Sequence, residues 1–195
     1  SYLAHAVHPQ PGDLTLLDQR SLSIVHAPSS NCKLGSGIAP LSEYIQAGVN
    51  VALGTDSASS NNALDMFQEM RLAAMLCSAT TGDPRSVSPY DILRMATIGG
   101  AKTLGREHQC GTLEVGKDAD IILIDTDAAH LTPLNDPFSA LVFAAKSSDV
   151  DTVLCRGTLL MEHRNLTTID IERVRHSVGS HWDAIRTDSH RRPFP

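Results

Sequence analysis

Three short apolar runs near the start of the chain each end in a polar side chain that can take part in chemistry. The first run reaches His5 and His8, the second ends at His26, and the third ends at Asp56. Stretches with helical spacing separate the runs, and strands that alternate with helices are typical of parallel βα units. Near-continuous apolar runs also suit strands that are covered on both faces. We therefore predict an α/β fold built on a parallel sheet.

The ends of these runs are candidates for one functional site. The carboxyl ends of parallel strands lie at one edge of a sheet, and catalytic groups collect there. His5, His26 and Asp56 fit this pattern, although a buried structural histidine or a helix-capping aspartate would fit it as well. A carboxylate at the end of an apolar strand needs a metal ion or hydrogen bonds to stay charged, which makes Asp56 stand out. Asn61 and Asn62 lie nearer the next predicted helix and suit its N-cap better.

The pattern changes near residue 107, from helical spacing to short strands with turns. We divide the chain into βα units over residues 1–107, a small β unit over 108–168, and a C-terminal helix with a tail over 169–195. The Arg156-Gly157 pair between two apolar runs is a hairpin signature. The predicted helices cover residues 14–19, 39–47, 63–76, 89–104, 137–145 and 169–185. The β unit is predicted to contain two strands within 111–125, one at 150–155 and one at 158–162.

Length and charge exclude several classes of protein. The 195 residues are too few for a complete (β/α)8 barrel, which needs about 250. A formal net charge of −6 without a basic run argues against binding nucleic acid or an anionic membrane through general electrostatics. No apolar stretch approaches the ~18 residues of a transmembrane helix. We therefore expect no nucleic acid and no membrane among the partners.

Common phosphate-binding, nucleophile and zinc motifs are missing from the sequence. Gly35 and Gly37 form a lone G-x-G, and the segment from Pro28 does not open directly into a helix, so we reject a dinucleotide loop. No G-x-S-x-G serine motif is present. The four cysteines include no C-x-x-C pair, and we expect them to be reduced in a cytoplasmic protein.

An ordered series of motifs gives the chain a more specific resemblance. The motifs are His5-Ala6-Val7-His8, the segment from His26 to Pro40, Gly48 to Asp56, Ser60-Asn61-Asn62 with Leu64-Asp65-Met66-Phe67, and Gly116-Lys117-Asp118-Ala119-Asp120. In this order they resemble the C-terminal half of the amidohydrolase superfamily, in its chlorohydrolase/deaminase branch. That resemblance implies the C-terminal part of a TIM-like (β/α)8 barrel, about strands six to eight, over residues 1–107, and part of a small β-sandwich over 108–168.

The resemblance also implies roles for individual residues. Asp56 matches the strand-eight aspartate, which binds a divalent metal and accepts a proton from the hydrolytic water; we expect Zn²⁺, or another divalent metal such as Fe²⁺ or Mn²⁺. His5 matches the strand-six histidine, which contacts that water and the developing oxyanion. Ser60 lies in the loop that touches the substrate, and His26 and Asn31 are further candidates for substrate binding.

Several family features are absent from the sequence. The strand-one His-x-His pair, the strand-five metal histidine and the glutamate that protonates the ring do not occur in it. Ser57 stands where the family often has glycine, and Ala6 where it commonly has cysteine. We expect these missing ligands to lie upstream of Ser1. Because a catalytic zinc usually needs three protein ligands, we expect this piece alone to bind metal weakly and to be inactive.

The implied activity is hydrolysis of a non-peptide C–N bond. The expected reaction is deamination of an aminopurine nucleoside such as S-adenosylhomocysteine or 5′-methylthioadenosine. Alternatives of the same fold are a guanine or cytosine deaminase and an s-triazine chlorohydrolase. A different alternative is a non-catalytic remnant that pairs with a separate N-terminal half. We expect a small-molecule substrate, a homo-oligomer, and the missing half in the same or a companion chain.

Overall fold

A parallel sheet of three strands forms the first part of the protein. The computed structural model describes residues 1–189. The strands are β1 (Tyr2–Ala4), β2 (Ser23–His26) and β3 (Val51–Leu53), in the spatial order β1-β2-β3. Leu3 pairs with Ile24, and Ile24 pairs in turn with Val51. The parallel α/β arrangement predicted from the apolar runs is therefore present in this region.

Helices connect these strands, and one of them was not expected. The connecting helices are α1 (Asp13–Gln19), α2 (Pro28–Lys33) and α3 (Leu41–Gln46). No helix is predicted directly after β2, but α2 begins there with Pro28 in its first turn. Proline at this position has a fixed φ suited to a helix, and it leaves no N–H group unsatisfied. The G-x-G at Gly35 and Gly37 lies after α2 and does not open directly into a helix, as predicted, because α3 begins only at Leu41.

Two further helices follow β3. They are the short α4 (Ala58–Asn61) and the long α5 (Met66–Thr81). The N-cap of α5 is Asp65, whose carboxylate accepts hydrogen bonds from the backbone N–H groups of Phe67 and Gln68. The expectation that Asn61 or Asn62 caps this helix is therefore wrong.

The next helical segment packs closely against β3. It consists of α6 (Pro89–Arg94), a π-helical turn (Met95–Gly99) and α7 (Gly100–Thr103). The Ser88 hydroxyl accepts a hydrogen bond from Asp91 N–H at 3.1 Å and so caps the start of α6. A Cβ atom added at Gly99 would lie 2.5 Å from the carbonyl oxygen of Val51. Only glycine allows the helix to approach the strand this closely.

The second sheet is antiparallel and has four strands in the spatial order β4-β5-β6-β7. These strands are β4 (Ile121–Ile124), β5 (Val150–Cys155), β6 (Thr158–Glu162) and β7 (Asn165–Leu166). The predicted hairpin is present, and both turn residues, Arg156 and Gly157, have positive φ. Only one of the two strands expected within 111–125 forms, because turns occupy the part before β4.

Short helices link β4 to β5, and a longer helix follows the sheet. The links are a 3-10 helix (Ala129–Leu131), α8 (Pro137–Ser139), a π-helical turn (Ala140–Ala144) and a second 3-10 helix (Ser147–Asp149). The C-terminal helix is α9 (Ile171–Ser189). The remaining part of the predicted tail, residues 190–195, lies outside the described residues. Within residues 1–189, no helix is both long and apolar enough to cross a membrane.

The hydrophobic core lies between the parallel sheet and the helices that follow it. Central members are Ile24 at 0% exposure, Tyr44 at 1% and Ile92 at 0%. The tyrosine also donates a hydrogen bond from its hydroxyl to the carbonyl oxygen of Ala6 at 2.6 Å. The core therefore supports the loop that leaves β1, where the first candidate site residues lie.

The contact at Gly99 leads to a stability prediction with an adjacent control. Gly99→Ala is expected to lower the free energy of unfolding by about 1–3 kcal/mol, because the new methyl group meets a backbone carbonyl that cannot move aside easily. Gly100→Ala is the control, since a Cβ there meets nothing within 4 Å. It should instead stabilise the protein by about 0.5–1 kcal/mol. Urea unfolding measures both effects, and equal effects of the two substitutions would contradict the proposed close approach.

Candidate active site

The ends of the three parallel strands bring the predicted residues to one edge of the sheet. His5 directly follows β1, His26 is the last residue of β2, and Asp56 lies three residues after β3. The backbone hydrogen bonds continue into this edge: His5 N–H donates to Val25 O at 2.9 Å, and Gly54 N–H donates to His26 O at 3.0 Å. The edge therefore collects the two imidazoles and the carboxylate that the sequence predicted.

Two serine hydroxyls hold the carboxylate of Asp56. Ser30, on α2, donates to Oδ2 at 2.6 Å, and Ser60, on α4, donates to the same oxygen at 2.9 Å. These two bonds, a backbone hydrogen bond from Ser57 and the nearby His5 together hold the pKa of Asp56 below its ordinary value. The carboxylate is therefore kept ionised and oriented. Ser60 was predicted to belong to the site, whereas Ser30 was not.

His5 faces Asp56 across a short gap. Its Nδ1–H donates to the side-chain oxygen of Asn31 at 2.9 Å, because the amide oxygen can only accept. Its other nitrogen, Nε2, lies 3.9 Å from Oδ2 of Asp56, and the two side chains are 42% and 32% exposed. The gap is too long for a direct hydrogen bond. The hydrogen bond to Asn31 thus turns Nε2 towards the carboxylate and leaves both groups accessible.

The backbone is unusual at both of these residues. His5 has a φ of 66° and Asp56 a φ of 59°, in the left-handed region that favours glycine. Residues other than glycine persist there only where the surrounding structure fixes them, and such positions cluster at functional sites. The loops that follow β1 and β3 therefore depend on surrounding contacts to hold these two facing residues in place.

His26 and Asn31 are predicted site residues that lie below the surface. Each is 2% exposed, and His26 Nδ1 and Asn31 Nδ2 have no hydrogen-bond partner among residues 1–189. Burial, followed by the neighbouring His5, lowers the pKa of His26 to about 4. His26 is therefore neutral at physiological pH. Buried polar atoms normally find a partner, so these two nitrogens mark a place where one is missing.

Sequence reasoning missed two residues that the structure brings into the site. One is Ser30, which is close in sequence to His26 but could be linked to Asp56 only through the fold. The other is Glu69 on α5, which is 0% exposed and accepts hydrogen bonds from Ser29 N–H and from Asn61 Nδ2. A signal for it exists in the sequence, since a carboxylate at position 69 falls on the same helix face as the apolar residues at 73 and 77.

Asp56 and His5 are side chains of the types that bind divalent cations, but two ligands are too few for a complete site. Asp56 offers a carboxylate and His5 an imidazole, both common ligands of zinc. Within residues 1–189, however, no group of three histidine, cysteine, aspartate or glutamate side chains is placed to hold a metal ion. Catalytic zinc usually has three protein ligands. The described residues therefore do not form a complete zinc site by themselves.

Known proteins resemble this chain in sequence over most of its length. The model of the Amidohydrolase family matches residues 2–160. The chain is 49% identical over 175 residues to the 5-methylthioadenosine/S-adenosylhomocysteine deaminase of Acetivibrio thermocellus, and the match covers 90% of this chain and 41% of that protein. The chain thus spans well under half the length of the curated relative that it matches.

Solved structures resemble it in fold. An adenosine deaminase from Xanthomonas campestris with bound zinc superposes with a TM-score of 0.92 at 37% identity, covering 95% of this chain and 42% of that one. Atrazine chlorohydrolase from Arthrobacter aurescens TC1 complexed with zinc superposes with a TM-score of 0.85 at 31% identity, covering 92% and 40%. These neighbours imply a TIM-barrel type of fold. From the family match and these relatives together, the chain belongs to the amidohydrolase family.

Proposed function

We propose that the protein carrying this chain is a metal-dependent hydrolase that deaminates an aminopurine nucleoside, such as S-adenosylhomocysteine or 5′-methylthioadenosine. Water adds to the ring carbon that bears the amino group, the carbon–nitrogen bond breaks, and ammonia leaves. The observation that carries the proposal is the carboxylate of Asp56, held by two serine hydroxyls and facing His5. The 49% identity to a deaminase named for these two nucleosides supports the substrate class.

Asp56 and His5 have different roles in the proposed reaction. Asp56 accepts a proton from the attacking water and returns it to the leaving amine, as a general base and then a general acid. His5 stabilises the developing oxyanion through Nε2. Because Nδ1 of His5 is committed to Asn31, Nε2 can donate to an oxyanion only when the ring is protonated, and the protonated ring forms an ion pair with Asp56 at 3.9 Å.

We assign Asp56 as the metal ligand of this chain, with Zn²⁺ as the proposed ion and Fe²⁺ or Mn²⁺ as alternatives. A divalent cation bound there would lower the pKa of the attacking water towards ~7. The structural neighbours with bound zinc support a divalent metal. The low pKa of Asp56 supports the same assignment, since a metal ligand must be deprotonated.

We propose that Ser60, His26 and Asn31 contribute to substrate binding. His26 and Asn31 each have a buried nitrogen that lacks a partner among residues 1–189, as expected where a ligand completes the hydrogen bonding. The Ser60 hydroxyl donates to Asp56, and it also lies next to a second hydroxyl group. The distance between the Oγ atoms of Ser57 and Ser60 is 3.1 Å. Hydroxyl groups of this kind suit the sugar of a nucleoside.

The described chain supplies part of such an enzyme. We propose that its parallel sheet is the last three strands of a barrel, that residues 108–168 belong to a small β-sandwich, and that the other metal ligands lie on strands in the same or a companion chain. Its 41% coverage of the curated relative supports this division. A homo-oligomer remains part of the proposal. The four unpaired cysteines support a reducing compartment such as the cytoplasm.

The first prediction from the proposed function concerns Asp56. In the protein at its full natural length, Asp56→Asn should lower kcat for S-adenosylhomocysteine by about 10²–10⁴-fold, because the amide cannot accept and return a proton. Asparagine tolerates the left-handed backbone, so the loop should keep its shape. Ammonia release measures the effect. Asp83→Asn is the control, because that carboxylate is 47% exposed and pairs with Arg85. Unchanged kcat in the Asp56 variant would refute the role of this residue.

The second prediction concerns the chain by itself. The 195-residue chain should hold less than one equivalent of zinc and should release no ammonia, because its described residues include too few ligands. The full-length protein should bind the metal, lose activity with a chelator and regain it with Zn²⁺. Elemental analysis and the ammonia assay check both. Stoichiometric zinc and turnover in the isolated chain would contradict the proposed division of the metal site.

The third prediction follows from the low pKa of His26. Its pKa is 6.5 in the unfolded chain and about 4 in the folded protein, so the unfolded state binds more protons between these values. The free energy of unfolding should therefore fall by about 3 kcal/mol as the pH decreases from 6.5 to 4. His26→Leu should remove this part of the pH dependence, whereas His108→Leu, at a side chain 93% exposed, should retain it. Urea unfolding across this pH range measures the difference, and identical slopes would count against it.

A chlorohydrolase remains the second candidate, favoured by the similarity to atrazine chlorohydrolase at a TM-score of 0.85. The two candidates differ in the leaving group, so one experiment separates them. Full-length protein is offered S-adenosylhomocysteine and atrazine in parallel, and ammonia and chloride are measured. Chloride release without ammonia release would replace the proposed deaminase with the chlorohydrolase.

A further inference from the structure

Glu69 is a fully buried carboxylate that the proposed reaction does not use. It lies on α5 with a side chain 0% exposed, and its two oxygens serve two different segments. Oε2 accepts a hydrogen bond from Ser29 N–H at 3.0 Å, and Oε1 accepts one from Asn61 Nδ2 at 2.7 Å. Both donors are uncharged. Burial of a carboxylate is costly, so its place here calls for a role beyond filling space.

The first segment that Glu69 holds is α2. Ser29 is followed directly by Ser30, whose hydroxyl donates to Asp56 at 2.6 Å. The next residue is Asn31, whose side-chain oxygen accepts the hydrogen bond from the site histidine at 2.9 Å. A bond to the backbone of Ser29 therefore fixes the start of α2, and with it the two side chains that orient both reacting groups.

The second segment is α4. Asn61 shares its Nδ2 group between Glu69 and the carbonyl oxygen of Thr55 at 2.8 Å, and it directly follows Ser60 in the chain. Ser60 is the second hydroxyl donor to Asp56, at 2.9 Å. The same amide thus connects the buried carboxylate to the residue before Asp56 and to the helix that carries its partner.

We propose that Glu69 is a positioning residue, which holds α2 and α4 so that their two serine hydroxyls orient Asp56 for the reaction. The expected effect of Glu69 on catalysis rests on the proposed function. Each of its two oxygens accepts a hydrogen bond from one segment, and each segment carries a serine that donates to Oδ2 of Asp56. Loss of either bond to Glu69 would release one of the two hydroxyl donors.

Glu69→Gln is the direct test in the full-length protein, because glutamine has nearly the same shape. Its amide nitrogen must face one of the two donors, so either α2 or α4 loses its bond. We expect kcat to fall by about 10²-fold while KM changes by less than about threefold, as for a misplaced reacting group. Unchanged kcat in a folded Glu69→Gln protein would overturn the proposal.

Asp149→Asn is the matched control for the loss of a buried carboxylate. Asp149 is 6% exposed and accepts hydrogen bonds from Lys146 N–H and from the His130 ring, both at 2.8 Å, next to the antiparallel sheet. It contacts none of the residues of the candidate site in these bonds. We expect this variant to lower the unfolding midpoint but to leave kcat within about twofold. An equal loss of kcat in both variants would mean that only general destabilisation had been measured, and would refute the positioning role.

A double-mutant cycle tests whether Glu69 acts through the serine hydroxyls. Glu69→Gln frees one of the two donors to Asp56, so the cycle is run once with Ser30→Ala and once with Ser60→Ala. If Glu69 positions these donors, its effect must overlap with that of one serine substitution. In that cycle the double variant should lose no more than about threefold in kcat beyond the worse single variant. Fully multiplicative losses in both cycles would overturn the proposed connection.

Amide hydrogen exchange separates a failure of this inference from a failure of the proposed function. Without substrate, exchange in residues 28–33 or 58–61 should rise by about tenfold or more in Glu69→Gln and stay unchanged in Asp149→Asn. If the wild-type protein releases no ammonia, the proposed function fails, while the exchange data still decide whether Glu69 fixes these segments. Unchanged exchange overturns the inference. Should Glu69→Gln not fold, Glu69→Asp, which withdraws both oxygens by one methylene, replaces it in every measurement.

Discussion

The parallel pairing of three short strands determines where every group of the candidate site lies. Leu3 pairs with Ile24, and Ile24 pairs with Val51, so the carboxyl ends of the three strands lie side by side at one edge of the sheet. Side chains that are 26 residues apart in the sequence, such as those of Ser30 and Asp56, can then form hydrogen bonds. A shift of one residue in this register would turn every side chain to the opposite face. The site therefore depends first on backbone pairing and only then on side-chain chemistry.

Neutral polar groups form most of the contacts that orient the ionisable side chains at this edge. Asp56 is oriented by hydroxyls, His5 by an amide oxygen, and Glu69 by a backbone N–H and a second amide. Such groups fix a carboxylate without neutralising it. A positively charged side chain in their place would neutralise the carboxylate. The carboxylate could then no longer bind a cation or accept a proton from the attacking water as well. This explains why short helices rich in serine and asparagine surround the strand ends.

The sequence allowed the strand ends to be predicted but not the contacts between them. His5, His26 and Asp56 follow apolar runs, and this local pattern is enough to place them at one edge. Ser30 and Glu69 were missed because their partners are distant in the chain; Glu69 and Ser29 are 40 residues apart. The helix at Pro28 was missed because it has no side-chain cap and only six residues, which are too few to show helical spacing. Local propensity cannot report a hydrogen bond that only the tertiary fold creates.

The arrangement of the parallel sheet also bears on how this polypeptide behaves in solution when it is separated from other chain segments. Among residues 1–189, β1 and β3 each pair on one side only; β3 is buried, whereas Tyr2 and Leu3 of β1 are 53% and 47% exposed. Strand edges with free N–H and C=O groups are templates for pairing with further copies. We therefore expect copies of the isolated chain to associate through the exposed edge of β1 as their concentration rises.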